Sequence, residues 1–462
     1  MLPILKHLSL AALLAVSNTT LGQNTLLPAG SNHYAPSELP DRIVLTAAAD
    51  PAHAQSVTWR TSSRVTNTPR AQIVVAVDHP GLHLAARTVE AEARRLVTEN
   101  GLSLHHSVTF DELEPDTLYA YRVEGANTWS EWFQFRTPKA EFQPHAVLYF
   151  GDAQNAVKSH FSRVVREANA TLPRAALMIH AGDLVNSRDG VHDDEWGEWF
   201  DAAGWLHGMV NQLVAAGNHE YIEQSGGAPS TLAPHWPAQF TTPGNGPDGL
   251  QDTVYSLEYQ GVRYVVLDSM AALQDVEKAR QQADWMDDIL AANTSRWTIA
   301  VHHHPIFSVS QGRDNPQIRD LWQPLYEKHG VDMVLQGHDH TYGRGGNLSE
   351  GSSGQPHARG PVYVVSVAGP KMYLVSEEAE AQMVRTAEDT QLFQVISFTE
   401  DTLDYISRTA TGALYDAMRI TRNSDGSKTV EDRRPTSPDN RCSNDRRLRE
   451  DRCRDGLEAL VP

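Results

Sequence analysis

The fold of this chain is decided by five short stretches: AVLYFGDAQ (146–154), ALMIHAGDLVN (176–186), GNHE (217–220), WTIAVHHHP (297–305) and VDMVLQGHDH (331–340). In four of them an apolar, partly β-branched run precedes a polar block that begins with Gly or His. This pattern predicts buried strands whose ends carry the polar side chains on loops, where a rigid sheet holds them at a cleft.

The five blocks supply carboxylates, amides and imidazoles in the combination that a pair of metal ions requires. Two divalent ions about 3.5–4 Å apart need one bridging carboxylate and separate ligands on each side. Oxygen and imidazole donors without thiolate suit iron, manganese or zinc. Each block alone has a plainer interpretation, since a Gly-Asp pair after a strand is commonly a turn. The order and strand context of all five together favour a dinuclear metal centre.

These blocks resemble those of the metallophosphoesterase (calcineurin-like) superfamily, and the N-terminal region resembles that of purple acid phosphatases. The motif resemblance runs from Asp152 to Tyr342. It implies an α/β metallophosphoesterase domain made of two packed mixed sheets flanked by helices. It also implies six metal ligands, with Asp152 and His340 on the first metal, Asp183 as the bridge, and Asn218, His303 and His338 on the second.

Two further assignments depend on the same resemblance. Among the three consecutive histidines we assign His303 as the ligand, because the family pattern is His-x-Pro and Pro305 sets the frame. His219 is the predicted catalytic residue, which donates a hydrogen bond to the phosphate or to the leaving group. Glu220 is expected to accept hydrogen bonds behind the ligands.

The chain departs from the purple acid phosphatase pattern around the first metal. Asn186 stands where the family has the tyrosine whose phenolate binds ferric iron and gives the colour. Gln154 stands where other metallophosphoesterases have a histidine. An amide oxygen of either residue, or water, can complete the coordination, and either residue can instead hydrogen-bond behind the ligands. Without a phenolate, manganese, zinc or iron(II) become plausible ions.

The first 22 residues have the layout of a signal peptide: Lys6, an apolar LSLAALLAV core and small polar residues before Gln23. The apolar core is too short for a membrane helix, and no cysteine marks a lipoprotein cleavage site. No other stretch approaches the roughly 18 apolar residues of a transmembrane helix. We therefore expect a secreted or periplasmic protein without a transmembrane segment.

The remaining chain divides into three regions. Residues 37–138 contain short alternating runs that predict an all-β sandwich, and the segment Leu113–Tyr121 resembles the tyrosine corner of fibronectin type III domains. Residues 144–422 alternate strands with amphipathic helices, which is typical of a layered α/β domain. Residues 423–462 form a charged tail that we expect to wrap over the surface, and Cys442 and Cys453 within it can close a disulfide.

The charge of the chain limits its partners. A formal net charge of -19 over 462 residues argues against a nucleic-acid groove, because phosphate backbones require a basic track. The same charge would repel a phosphorylated substrate at long range, so its capture must depend on the local field of the metals and nearby cations. The sequence does not indicate an oligomeric state.

The predicted function is hydrolysis of phosphomonoesters on small molecules, with a metal-activated hydroxide attacking phosphorus. Phosphodiesters or nucleotides are alternative substrates for the same core. An alternative of another class is a surface-binding protein with a degenerate metal site. The candidate substrate-binding residues lie beside the ligand blocks: His302, His304, Arg313, Tyr342 and Arg344. Arg344 is the favoured candidate, with a structural salt bridge as the alternative.

Overall fold

The computed structural model describes residues 24–28, 30–350, 356–424, 427–449 and 451–453, with only the backbone at 346–350, 356–359 and 449. The predicted signal peptide lies outside the described residues. Among the helices of the described residues, none has the length and apolar composition to cross a bilayer.

The N-terminal part is an all-β sandwich of two four-stranded sheets. One sheet has the order β5-β6-β2-β1 and the other β4-β3-β7-β8. Trp59 is buried between them, and the Tyr119 hydroxyl accepts the backbone N–H of Glu114, the contact that a tyrosine corner requires. The strands are β1 Asp41–Ala47, β2 Gln55–Ser62, β3 Arg70–Val75, β4 Arg87–Glu90, β5 Glu92–Thr98, β6 Gly101–Phe110, β7 Leu118–Val123 and β8 Phe133–Arg136.

The second part is an α/β domain, so the predicted fold class is confirmed. Its helices are α1 Val157–Thr171, α2 Asp193–Ala203, α3 His235–Gln239, α4 Ser269–Gln274, α5 Val276–Ala291, α6 Pro316–Lys328 and α7 Glu377–Gln382. Its strands are β9 His145–Phe150, β10 Leu177–His180, β11 Asn211–Val214, β12 Tyr221–Ile222, β13 Thr231–Leu232, β14 Tyr255–Tyr259, β15 Val262–Val266, β16 Trp297–Val301, β17 Met333–Gln336, β18 Tyr342–Glu350, β19 Pro356–Val365, β20 Met383–Ala387, β21 Leu392–Phe398, β22 Thr402–Thr409, β23 Leu414–Arg422, β24 Lys428–Asp432, β25 Arg447–Arg449 and β26 Arg452–Cys453.

Two mixed sheets pack face to face in this domain. The first has the order β11-β10-β9-β21-β22-β23-β24 and the second β14-β15-β16-β17-β19-β18-β20. Apolar side chains such as Tyr149, Ile179 and Leu335 fill the space between the sheets, while α1 and α2 cover one outer face and α4–α6 the other. Alternating residues of each strand therefore serve an inner and an outer core.

The direction of the strands brings the polar blocks together. Strands β9, β10 and β11 run parallel to one another, as do β15, β16 and β17. All ligand blocks follow the carboxyl ends of these strands, and parallel strands present those ends at one edge. The two edges meet and form a single site.

The charged tail begins later than residue 422. Strand β24 pairs antiparallel with β23 from Met418↔Asp432 to Arg422↔Lys428, so these residues extend the first sheet. The Lys428 ammonium forms an ion pair with the buried Asp332 carboxylate at 2.5 Å, which fixes the strand to the domain. Farther on, Cys442 and Cys453 are joined by a disulfide. The sequence analysis did not predict this edge strand because β24 is mostly polar.

Candidate metal centre

Six polar side chains from the five blocks converge at the edge where the two sheets meet: Asp152, Asp183, Asn218, His303, His338 and His340. Five of them are buried, with Asn218 the most exposed of the five at 8%, and His338 is half-buried. Three of them adopt left-handed backbone conformations, with φ of 53° at Asp183, 74° at His338 and 50° at His340. Non-glycine residues rarely adopt this conformation, and when they do they cluster at functional sites.

One half of the site has the geometry expected of the second metal. The His338 Nδ1 atom lies 2.9 Å from Asn218 Oδ1 and 3.2 Å from His303 Nε2. The same His303 Nε2 lies 3.1 Å from Asp183 Oδ2. His303 donates through Nδ1 to the Ala181 carbonyl at 2.8 Å, so the lone pair of Nε2 faces the cluster. Asp183, His303 and His338 alone form a group that could hold a metal ion.

The other half of the site contains the first-metal residues. Both carboxylate oxygens of Asp152 are buried and accept no hydrogen bond within the described part of the chain. The Gln154 amide lies between the bridging carboxylate and the last ligand, with Nε2 2.8 Å from Asp183 Oδ2 and 3.0 Å from His340 Nε2. Turning this amide by 180° would present Oε1 to the same place. Gln154 is therefore positioned to complete the first metal's ligands.

Asn186, the other residue considered for that role, points elsewhere. Its side-chain oxygen accepts a hydrogen bond from Asn155 Nδ2 at 2.8 Å, and its backbone carbonyl accepts one from His219 Nδ1. The side chain of Asn186 is thus engaged away from the ligands. Tyr221 and Tyr342 do not replace the missing phenolate either, because their hydroxyls donate to Asp268 and Asp416 at 2.5 Å each.

The electrostatics of the cluster also favour the binding of a cation. Burial raises the pKa of Asp152 to about 8, against the influence of His303. Burial alone would lower the pKa of His303, but the Asp183 and Asp152 carboxylates raise it to about 9. A proton on His303 Nε2 would offset part of the negative charge of these buried carboxylates, and a metal ion would take the place of that proton. Two metal ions would supply positive charge and also ligate the unpartnered oxygens of Asp152, so the residues fit a dinuclear centre.

Glu220 holds the loops that carry the ligands. Its buried carboxylate accepts the backbone N–H groups of Asp183, Leu184 and Gly217 at 2.9, 2.8 and 2.7 Å. A side chain at Gly217 would place its Cβ 2.2 Å from Asp183 Oδ1, so only glycine leaves room for the bridging carboxylate. Glu220 accepts hydrogen bonds behind the ligands, as the sequence indicated.

His219 lies beside the bridge and is partly accessible. Its backbone N–H donates to Asp183 Oδ1 at 2.9 Å, and its Nε2 lies 3.8 Å from Asp183 Oδ2. Burial lowers the pKa of His219 to about 4. The neutral ring donates through Nδ1 to Asn186, so Nε2 carries a lone pair, and proton donation from Nε2 requires the protonated ring.

Three of the five substrate-binding candidates are structural residues, and this corrects the sequence prediction. Tyr342 and Arg344 are buried and bind the buried Asp416, with Arg344 Nε 2.6 Å from its Oδ2. His302 is buried, donates through Nδ1 to the His304 carbonyl and packs against the Trp322 ring. Strand alternation turns these side chains into the core, away from the ligands.

The other two candidates border the site. The His304 ring packs at a tilt against that of the predicted ligand His338, with ring centroids 4.2 Å apart, and its Nδ1 lies 2.9 Å from Ser269 Oγ. Arg313 donates to the His338 carbonyl at 2.5 Å and keeps 26% of its side chain exposed. Arg313 is the better placed of the two to meet a ligand.

Lys371 and Tyr373 also border the site and were missed by the sequence analysis. The Tyr373 ring lies 5.1 Å from the His340 ring, and its backbone N–H donates to the His340 carbonyl at 3.1 Å. Both residues follow the apolar run VYVVSVAG (362–369), whose first four residues are the end of β19. The same rule of polar residues after a buried strand could have found them.

Comparison with known proteins agrees with this geometry. The model of the purple acid phosphatase N-terminal domain matches residues 40–137, and that of calcineurin-like phosphoesterases matches residues 145–342. Purple acid phosphatase 23 of Arabidopsis thaliana is 25% identical over 52% of this chain and 57% of its own. Probable inactive purple acid phosphatase 1 of the same plant is 24% identical over 52% of this chain and 43% of its own. The chain therefore matches about half the length of these relatives.

A solved structure supports the assignment of the fold. Purple acid phosphatase PPD1 from yellow lupin seeds superposes with a TM-score of 0.67 at 18% identity, over 84% of this chain and 75% of that one. With both domains matched in order and the metal ligands gathered at one sheet edge, this chain belongs to the purple acid phosphatase-like proteins of the calcineurin-like phosphoesterase superfamily.

Proposed function

We propose that this protein hydrolyses phosphomonoesters with two bound metal ions. The observation that carries the proposal is the convergence of Asp152 with five other donor side chains, all buried except the half-buried His338, while neither carboxylate oxygen of Asp152 accepts a hydrogen bond from the described residues. Such an arrangement is costly unless cations complete it. Iron, manganese or zinc suits the oxygen and imidazole donors.

The chemistry divides between the ions and the side chains. When bound, the two ions would activate a water molecule and neutralise charge on the phosphoryl oxygens. Asp183 orients the site by touching both halves, and Glu220 keeps its loop in place. His219 would position or protonate the leaving oxygen, and Arg313 would hold phosphoryl oxygens at the rim. Hydrogen-bond donors in these positions stabilise developing negative charge.

Phosphodiesters and nucleotides are a second substrate class that the same core could serve. The ligands do not distinguish them from monoesters, because both present a phosphorus centre with two oxygens for the ions. The alternative of another class, a surface-binding protein with a degenerate centre, is supported by the relative named as probably inactive. The complete donor set around Asp183 and the placement of Gln154 favour the enzyme.

The decisive experiment is a substrate panel with a matched pair of variants. Protein reconstituted with manganese, zinc or iron is assayed on monoesters, diesters and nucleotides, and its metal content is measured. Asp183→Asn should lose turnover and part of the metal, because a neutral amide cannot replace a carboxylate shared by two cations. Asp189→Asn, an exposed carboxylate on the same loop, is the control. Two tightly bound ions with near-normal turnover in Asp183→Asn would contradict the assignment.

We also propose that the mature protein is secreted or periplasmic. The buried Cys442–Cys453 disulfide supports this, because structural disulfides persist mainly in oxidising compartments. Expression with and without residues 1–22, followed by fractionation and N-terminal sequencing, tests the proposal. Retention of the full-length chain in the cytoplasm with reduced cysteines would contradict it.

A further inference from the structure

A segment that follows β19 passes directly over the first-metal loop. The Ala368 and Gly369 N–H groups donate to the carbonyls of Gly151 and Asp152 at 2.9 and 2.7 Å. A Cβ atom at Gly369 would lie 2.5 Å from the Gln154 carbonyl, so the two backbones are in contact. This packing fixes the backbone two residues before Lys371 and sets that lysine at the rim of the site.

Three cations lie near one aromatic ring at this rim, that of Tyr373, and the most distant is the Arg452 guanidinium carbon at 6.0 Å from the ring centroid. The Lys371 ammonium is 5.5 Å from the centroid of the Tyr373 ring, and the Arg313 guanidinium carbon is 4.9 Å from the same centroid. The Tyr373 ring in turn contacts His340. Cation–π contacts of this kind hold a flexible side chain without neutralising its charge. The Tyr373 ring therefore holds the positively charged side chains of Lys371 and Arg313 near His340.

Lys371 and Arg313 differ in their other contacts. Arg313 donates to the His338 carbonyl and pairs with the buried Asp339 at 3.5 Å. The Lys371 ammonium, by contrast, makes no hydrogen bond or ion pair with any residue that the structure describes. An unpaired ammonium at a half-buried position is unusual in a chain with a net charge of -19. Its charge remains available to a ligand.

The field of Lys371 reaches the site itself. Burial lowers the pKa of His340, and Lys371 is the next cause in the same direction. Lys371 also acts to lower the pKa of Asp152 and of His219, although burial is the largest cause in both. Together with the contact of Tyr373 with both Lys371 and His340, this places the ammonium on the first-metal side of the site.

We propose that Lys371 binds a second anionic group of the substrate, so that the preferred substrates are phosphomonoesters that carry a further phosphate or carboxylate. This inference rests on the proposed function. The metals would take the phosphoryl group that is cleaved, while Lys371, supported by Tyr373, takes an anion on the leaving group. Lys371 would then select substrates by charge. Of two substrates that differ in one carboxylate or phosphate, only the one that carries this group can accept a charge-assisted hydrogen bond from the ammonium.

Equilibrium binding tests the inference without turnover. The metal-loaded protein is titrated by calorimetry with two non-hydrolysable ligands of similar shape, 3-phosphonopropionate and propylphosphonate, which differ in one carboxylate. Wild-type protein should bind the carboxylate-bearing ligand roughly tenfold more tightly, as one charge-assisted hydrogen bond allows. Lys371→Met should remove this preference and Lys371→Arg should keep most of it. Lys278→Met, which removes an exposed lysine from α5, is the charge-matched control.

Kinetics provide the second arm of the test. The ratio of kcat/KM for 3-phosphoglycerate to that for glycerol 3-phosphate should fall about tenfold in Lys371→Met, mainly through KM. Phenyl phosphate, which lacks a second anion, should change by less than about twofold. Equal affinity of wild-type protein for the two phosphonates, or a preference that survives in Lys371→Met or disappears equally in Lys278→Met, would overturn the inference. Absence of turnover on every phosphoester would instead defeat the proposed function, and the binding arm would still decide the role of Lys371.

Discussion

Replacing Arg344 by methionine separates a structural role from a substrate-binding one. The guanidinium lies in the core, 2% exposed, and makes two hydrogen bonds to the carboxylate of Asp416, at 2.6 and 2.8 Å. Asp416 is fully buried, so the variant would leave its charge without a cation. Removing one partner of a buried ion pair costs about 3–5 kcal/mol. This is a large share of the roughly 5–15 kcal/mol that stabilises a typical domain.

The chain offers a matched control on the neighbouring surface. Arg419 in β23 also makes two hydrogen bonds to a carboxylate, that of Asp404, at 2.6 Å each, but its side chain is 32% exposed. Arg419→Met should therefore cost at most about 1 kcal/mol, because water screens and replaces an exposed pair. The two sites also differ in their other ion pairs, since Arg344 binds Asp432 at 2.8 Å as well and Asp404 keeps Arg433 at 3.5 Å, and both differences act in the same direction as burial.

Urea unfolding of the metal-loaded variants can be followed by tryptophan fluorescence. The midpoint urea concentration and the slope of the transition then give the difference in the free energy of unfolding between the variants. Arg344→Met should unfold at a clearly lower urea concentration than Arg419→Met, and adding Asp416→Asn to Arg344→Met should recover part of the loss. At low temperature, where Arg344→Met stays folded, its KM should match that of the wild type. Equal costs for the two arginines, or a raised KM with normal stability, would refute the structural account.

The remaining predictions concern the site and the tail. Near pH 4, where part of the His219 ring is protonated, His219→Ala should slow esters of poor leaving groups far more than aryl esters, because a general acid supplies roughly 10²–10⁴-fold. Equal losses across a leaving-group series would leave His219 only a positioning role. Iron-loaded protein should lack a phenolate-to-iron absorption band, since Asn186 replaces the tyrosine and the Tyr221 and Tyr342 hydroxyls are engaged; a purple protein would contradict this. The double variant Cys442→Ser/Cys453→Ser should lose roughly 2–3 kcal/mol against local release of the tail, seen as faster trypsin cleavage at its exposed arginines, and an unchanged rate would count against it.

The sequence determined the fold class and most of the site because both depend on local patterns. Apolar runs of strand length ending in polar blocks indicate parallel strands with ligands at their carboxyl ends, and the structure has those strands. The paired cysteines and the tyrosine corner were likewise visible, because each is encoded within a dozen residues.

Only the tertiary structure decided which side chains face the ions. Arg344 and Arg313 both stand near ligand blocks in the sequence, yet one lies on the core face of a strand and the other on a loop at the rim. Gln154 lies among the ligands while the side chain of Asn186 turns towards Asn155, a choice made by loops from two strands. The position of Lys371 at the rim depends on hydrogen bonds from Ala368 and Gly369 to a loop more than 200 residues earlier in the chain. Such contacts arise when the sheets pack, and no short stretch of sequence records them.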